Sequence, residues 1–196
     1  MKKILLISKV LILIASLLMI TAIYVPFWQI LMWAPQYPEG LEMKIWLNNI
    51  TGDIDIINGL NHYIGMKYIK VEMFPEFKVM PYILAGIIAF GVITALVGRR
   101  AMVWAFFVIL ILAGIAGLLD FYLWGYDYGH NLDPNAAIKV PGMSYQPPLI
   151  GTKELLNFVA YSAPDIGGWI LAISGLIVAG VLVLEHWKHK LTFKLK

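Results

Sequence analysis

The chain has 196 residues, 60% of them hydrophobic, a formal charge of +3 and no cysteine. The missing thiols exclude a disulfide scaffold, a thiolate zinc site, an iron–sulfur cluster and covalently attached c-type haem. At this length and hydrophobicity the chain reads as one membrane unit, and its basic residues lie at the edges of apolar stretches, so no nucleic-acid partner is expected.

Residues 1–33 predict transmembrane helix 1. The apolar run continues from Val10 past Val25 to Trp33 without a clean small-residue cleavage site, so it reads as a retained anchor rather than a signal peptide, kinked near its outer end by Pro26. Residues 34–79 form a first long loop. In it, Leu41, Met43, Ile45 and Leu47 alternate with Glu42, Lys44 and Trp46, which predicts a half-buried strand. Thr51, Gly52 and Asp53 predict a turn, with Asp53 capping a helix that carries Ile54, Ile57, Leu60 and Ile64. Ile69, Val71 and Met73, alternating with Lys70 and Glu72, predict a second strand.

Residues 80–98 and 101–124 are the second and third spans, each close to the roughly 20 residues that cross ~30 Å of hydrocarbon. Arg99 and Arg100 join them in a tight turn. Residues 125–165 form a second long loop, rich in Tyr, Pro and Gly up to Gly151, with a short surface helix expected over 152–160. Asp165 reads as the cap of the fourth span, residues 166–187, and residues 188–196 as a tail. Trp28, Trp33, Trp124, Trp169 and Trp187 lie near span ends, where interfacial aromatic rings collect. Gly168, Ala172, Gly175 and Ala179 on the fourth span, and Ala113 with Gly117 on the third, make smooth stripes that allow close helix packing, within the bundle or against a partner. The expected fold class is an all-α integral membrane protein: four transmembrane helices with a small strand–helix–strand extracytoplasmic cap.

Charge sets the expected orientation. Lys2, Lys3, Lys9, Arg99, Arg100, Lys188, Lys190, Lys194 and Lys196 fall on one side of the four spans; every acid from Glu39 to Asp165 falls toward the other, leaving only Glu185. Positive charge resists translocation, so the termini and the Arg99–Arg100 turn are expected in the cytoplasm and both long loops outside, as in a multi-pass protein of a bacterial inner membrane with the bilayer as its first partner.

The spans hold almost no ionisable groups, which disfavours an ion-coupled transporter; Asp120, about one turn inside the outer end of the third helix, is the deepest and remains a candidate functional acid. No HExxH, GxSxG or phosphate-binding glycine loop occurs, so no catalytic residue is assigned and no enzyme is expected. Histidines are limited to His62, His130, His186 and His189, the last two in the basic tail, which leaves no pair of axial haem ligands in facing helices. His62 and Met66 are four apart and share a face if the helix continues through both. His130 and Met143 lie in the other exported loop, with Met43, Met73 and Met80 as further sulfur donors. Imidazole and thioether without thiolate suit Cu(I). Two readings stand: the loops fold together so that His62, Met66, His130 and Met143 share a copper site, or these are hydrogen-bonded loop residues of a rigid docking surface.

The segments APQYPEGL at 34–41, GDIDIINGLNHYIGMK at 52–67, YDYGHNLDPNAAIKVPGMSYQPPLIG at 126–151 and YSAPDIGGW at 161–169 resemble a family of small membrane proteins. That family is encoded among the accessory genes of the nitrous oxide reductase cluster, beside a copper-chaperone lipoprotein and a copper-related ABC transporter. It carries no established activity, so the resemblance assigns no catalytic residue. It implies a non-enzymatic accessory protein of the cell envelope, in copper-centre maturation or in docking nitrous oxide reductase machinery, with copper as the cofactor and reductase-cluster membrane or periplasmic proteins as partners. The alternatives are a redox subunit passing electrons from quinol toward the reductase, and a purely structural scaffold for a membrane complex.

Overall fold

The computed structural model describes residues 3–194, and side chains as far as Lys188; Lys2 and Lys196, and the side chains of His189, Lys190 and Lys194, lie outside that description. Among the described residues the elements run α1 (Leu6–Thr21), β1 (Trp28–Ala34), β2 (Tyr37–Ile45), β3 (Ile50–Gly52), α2 (Ile54–Ile64), α3 (Met80–Val97), α4 (Arg100–His130), β4 (Gly151–Leu155), β5 (Phe158–Pro164) and α5 (Ile166–Lys194). Among the described residues four helical segments are long and apolar enough to cross a membrane: Leu6–Tyr24, Met80–Val97, Arg100–His130 and Ile166–Lys188. The expected all-α class with a strand–helix–strand cap is wrong. The strands form one five-stranded antiparallel sheet in the order β3-β2-β1-β5-β4, and the fold is mixed α/β.

The chain divides into two compact units, the first made of Met1–Val25, Met80–Ile115 and Ile166–Lys196. Here α1 packs against both α3 and α5. Small side chains make the closest contacts. Ala15 is fully buried, and a Cβ on Gly91 would lie 2.2 Å from Ser16 Oγ and 2.6 Å from Phe106 Cζ, so only glycine fits there. Buried hydroxyls are satisfied by helix carbonyls: Ser16 donates to Ile12 O at 2.8 Å, Thr94 to Phe90 O at 2.8 Å, and Ser174 crosses to Ala15 O at 3.2 Å. Of the expected small-residue stripes, Gly117 and Gly175 make no close approach here, because a Cβ on either would meet nothing within 4 Å. Glu185 is explained here. Its buried carboxylate accepts the Leu5 N–H at 2.7 Å and the Ser8 hydroxyl at 2.5 Å, satisfying a donor at the start of α1.

The second unit comprises Pro26–Val79 and Ala116–Asp165. Its sheet begins where helix 1 was expected to continue. Val25, ahead of Pro26, is extended (φ −136, ψ 155), as the residue before proline tends to be, and the apolar run from Trp28 is strand β1. Strand β1 pairs with β2, Ile30 opposite Met43, and with β5, Ile30 opposite Ser162. All three side chains of this row are buried. Ser162 Oγ accepts from Trp28 Nε1 at 2.8 Å and donates to Leu149 O at 3.1 Å.

Three further local expectations are corrected. Residues 152–160 are no helix: β4 and β5 form a hairpin there, with Leu155 opposite Phe158 and Leu156 turning at φ 59. The second predicted strand at 69–73 is absent, and Val71–Met73 is a short 3₁₀ turn. Its place in a ladder is taken by Asn58, whose Oδ1 accepts the Ile69 N–H at 2.7 Å and whose Nδ2 donates to Ile69 O at 3.0 Å. Asp53 occupies the N-cap position of α2 without capping it, because its carboxylate accepts the Glu42 N–H at 2.8 Å instead.

Candidate functional site

Helix α2 stops at a left-handed glycine, Gly65 (φ 79). Met66 N–H donates back to Asn61 O at 2.9 Å and Gly65 N–H to His62 O at 3.4 Å, the paired bonds of a Schellman end. Met66 therefore lies past the end of the helix and does not share a helical face with His62. The reversal nevertheless brings both to one cleft. That cleft, about 360 Å³, is lined by His62, Gly65, Met66, Lys67, Tyr68, Asn131, Leu132 and Asp133, all residues of the second unit.

The opposite wall is the segment just after α4, pinned across the gap. Asp133 N–H donates to Gly65 O at 2.8 Å and Ile138 N–H to Tyr63 O at 2.8 Å. A Cβ on Gly65 would sit 2.9 Å from both the Asp133 nitrogen and Ala136 Cβ, so this approach needs glycine twice over, for space and for backbone angle. Lys67 bridges to Asp127 Oδ2 at 2.5 Å, and the other Asp127 oxygen accepts from Asn131 Nδ2. Both side chains of that ion pair are 41% exposed, so it orients the walls more than it stabilises them. Beneath, Phe74, Trp124 and Tyr128 pack ring against ring, with Trp124 and Tyr128 centroids 4.9 Å apart. The Tyr128 hydroxyl donates to Tyr68 O at 3.0 Å, fixing the backbone of one cleft wall to this aromatic core.

The four proposed copper ligands are not all gathered here. His62 is exposed at the cleft, its ring 6.1 Å from that of Tyr68, and Met66 is half-buried beside it. His130 and Met143 do not line the cleft. The His130 ring stacks on Tyr126 at 4.0 Å, and its Nδ1 donates to Tyr126 O at 3.0 Å. Met143 is half-buried in the loop, its N–H donating to Val140 O at 3.1 Å. Met43 is buried in the sheet, and Met73 Sδ is 3.8 Å from the Tyr128 hydroxyl. Asp120 is exposed on α4 between Leu119 and Leu123, also exposed, and lies outside the cleft. His186 is exposed on α5.

Among the described residues, no group of three or more His, Asp or Glu is placed to hold a metal ion. A closed zinc or Cu(II) donor set is absent among the described residues, and one imidazole and one thioether, the donor types that soft ions prefer, line the same cleft. Asn131 and Asp133 belong to the cleft but carried no signal in the sequence, because they reach it only through the pairing of residues 131–138 with the end of α2. Compared with known proteins, the chain matches no family model and no curated sequence.

Proposed function

We propose that this chain is a non-enzymatic membrane accessory protein of the cell envelope that handles Cu(I) for nitrous oxide reductase, in copper-centre maturation or in docking the reductase machinery. The observation that supports it is the cleft on which His62 and Met66 come together. Two neutral soft donors hold Cu(I) without the cost of ionising a thiol, and the open positions suit an ion that is passed on rather than stored. The resemblance of the loop segments supplies the reductase context. The unequal charge of the loops supports an orientation with the cleft outside and the Arg99–Arg100 turn in the cytoplasm.

The test is a titration of Cu(I) from a chromophoric chelator into the full chain in lipid nanodiscs. One bound ion is expected, with His62→Ala and Met66→Leu each weakening it by at least the roughly tenfold that loss of an outer-shell partner costs. Cells lacking the chain should assemble reductase with reduced copper content. Failure to bind Cu(I) sinks the copper reading.

A scaffold reading rests on a different observation. No side chain of α4 between Phe107 and Trp124 is buried, although the segment is strongly apolar. That surface is available to lipid or to a partner helix, and a stable complex without bound metal would favour the scaffold.

A further inference from the structure

In the first unit Lys3 and Arg99 face each other across an isolated antiparallel bridge, closed by Ile4 N–H donating to Gly98 O at 3.0 Å. Like charges directly opposite on paired segments repel. Arg100 follows immediately and adds a third positive charge. Among the described residues no acid offsets them. Glu185 is the only acid in the sequence of this unit, and its carboxylate is buried against the Leu5 N–H and the Ser8 hydroxyl. Lys9 is otherwise engaged: its Nζ donates to Leu96 O at 3.2 Å, and its Cε fills the space of a Cβ at Gly98. The ion pairs Lys44–Glu42 and Lys67–Asp127 lie in the second unit and involve none of these three bases.

Two unneutralised bases held opposite each other by backbone pairing, with a third next in the chain, call for an anion. The neighbouring surface selects its kind. Leu6, Ile7, Leu96, Val97 and Trp104, all within two helical turns of these bases along the chain, are exposed apolar side chains. We propose that Lys3, Arg99 and Arg100 bind the phosphate of an anionic membrane lipid, whose acyl chains lie along this apolar surface. The bridge sets the two bases side by side before the lipid arrives, so the lipid neutralises a repulsion built into the fold and ties the start of α1 to the α3–α4 turn. This assignment is independent of any metal in the second unit.

Native mass spectrometry of the full chain, released from nanodiscs containing phosphatidylglycerol and phosphatidylcholine, tests it. One phosphatidylglycerol should be retained in preference to phosphatidylcholine, and retention should fall as ionic strength rises. Lys3→Gln with Arg99→Gln should weaken it about 5-fold for each charge removed, while the exchanged pair Lys3→Arg with Arg99→Lys, which keeps both charges, should retain it. Should the neutral variant not insert, the wild-type competition decides. Loss of the preference for phosphatidylglycerol there, an unchanged preference in the neutral variant, or complete displacement of the lipid by inorganic phosphate would each overturn the lipid site.

Discussion

Replacing Asn58 tests how the cleft wall is held. Asn58 is 7% exposed, and its amide makes two bonds to one residue, accepting the Ile69 N–H at 2.7 Å and donating to Ile69 O at 3.0 Å. Ile69 is itself buried at 5% and directly follows Tyr68 of the cleft. Asn58→Ala strips both partners from a backbone that water does not reach, and each buried group left unsatisfied costs about 1–3 kcal/mol. The expected loss for the unit is therefore about 2–6 kcal/mol. Asn58→Asp keeps the acceptor for the Ile69 N–H but turns a carboxylate toward the Ile69 carbonyl, so it should rescue little. Hydrogen exchange at the Ile69 amide reads this directly. If local opening governs exchange, each 1.4 kcal/mol gives about a tenfold faster rate. Both variants should also lower Cu(I) affinity without touching a ligand. Unchanged Ile69 exchange in Asn58→Ala would mean that Asn58 is not what replaces the missing strand.

Gly65→Ala forces a Cβ at φ 79 to within 2.9 Å of the Asp133 nitrogen. It should cost about 2–5 kcal/mol from backbone strain and overpacking together, seen as faster exchange of the Asp133 amide. Leu156→Asn goes the other way: Leu156 is 45% exposed with φ 59, so a residue tolerant of that angle should raise thermal stability by about 1 kcal/mol, and a destabilised hairpin would contradict the turn assignment. The cysteine-free chain permits a clean topology test. Asn49→Cys and Asn135→Cys, both at exposed positions, should react with a membrane-impermeant maleimide in intact cells, and Lys188→Cys only after permeabilisation; the reverse pattern would invert the proposed orientation.

The four spans were legible because twenty apolar residues have few other fates, and α2 because its apolar spacing is helical. The sheet was not. Strand β1 continues the apolar run of α1 with only Pro26 between, and hydropathy does not tell a helix from a buried strand. Strand β5 pairs residues 159–164 with residues 28–33, a contact that no local pattern announces. The β4–β5 hairpin lacked the usual punctuation, since Leu156 stands where a two-residue turn favours Gly, Asn or Asp. At Ile69 a side chain, not a neighbouring strand, satisfies the backbone. His62 and Met66 were read as neighbours through a helix that in fact ends between them. Gly65 was the legible stop signal, and the reversal it makes brings both to one cleft by a different route.

Helix α4 shows how one element serves two environments. Its 31 residues span about 46 Å at 1.5 Å per residue, against the ~30 Å of hydrocarbon that a bilayer presents. Hydropathy ended the helix at Trp124, because Tyr126, Asp127, Tyr128 and His130 are too polar for lipid. The backbone has no such reason to stop, and the turns beyond Trp124 are shaped for packing against protein. Gly125 and Gly129 recur one turn apart and are both buried. A Cβ on Gly129 would fall 2.2 Å from the Gln146 nitrogen, and Gly129 O accepts the Tyr145 N–H at 2.9 Å. Gly129 costs helix propensity, yet it lets residues 145–146 lie directly on the helix. The same stretch supplies Trp124 and Tyr128 to the aromatic core and Asp127 to the ion pair, and it ends where Asn131 and Asp133 begin the second wall of the cleft. The apolar half of α4 thus suits the bilayer, and its polar extension ends where the second wall of the candidate site begins.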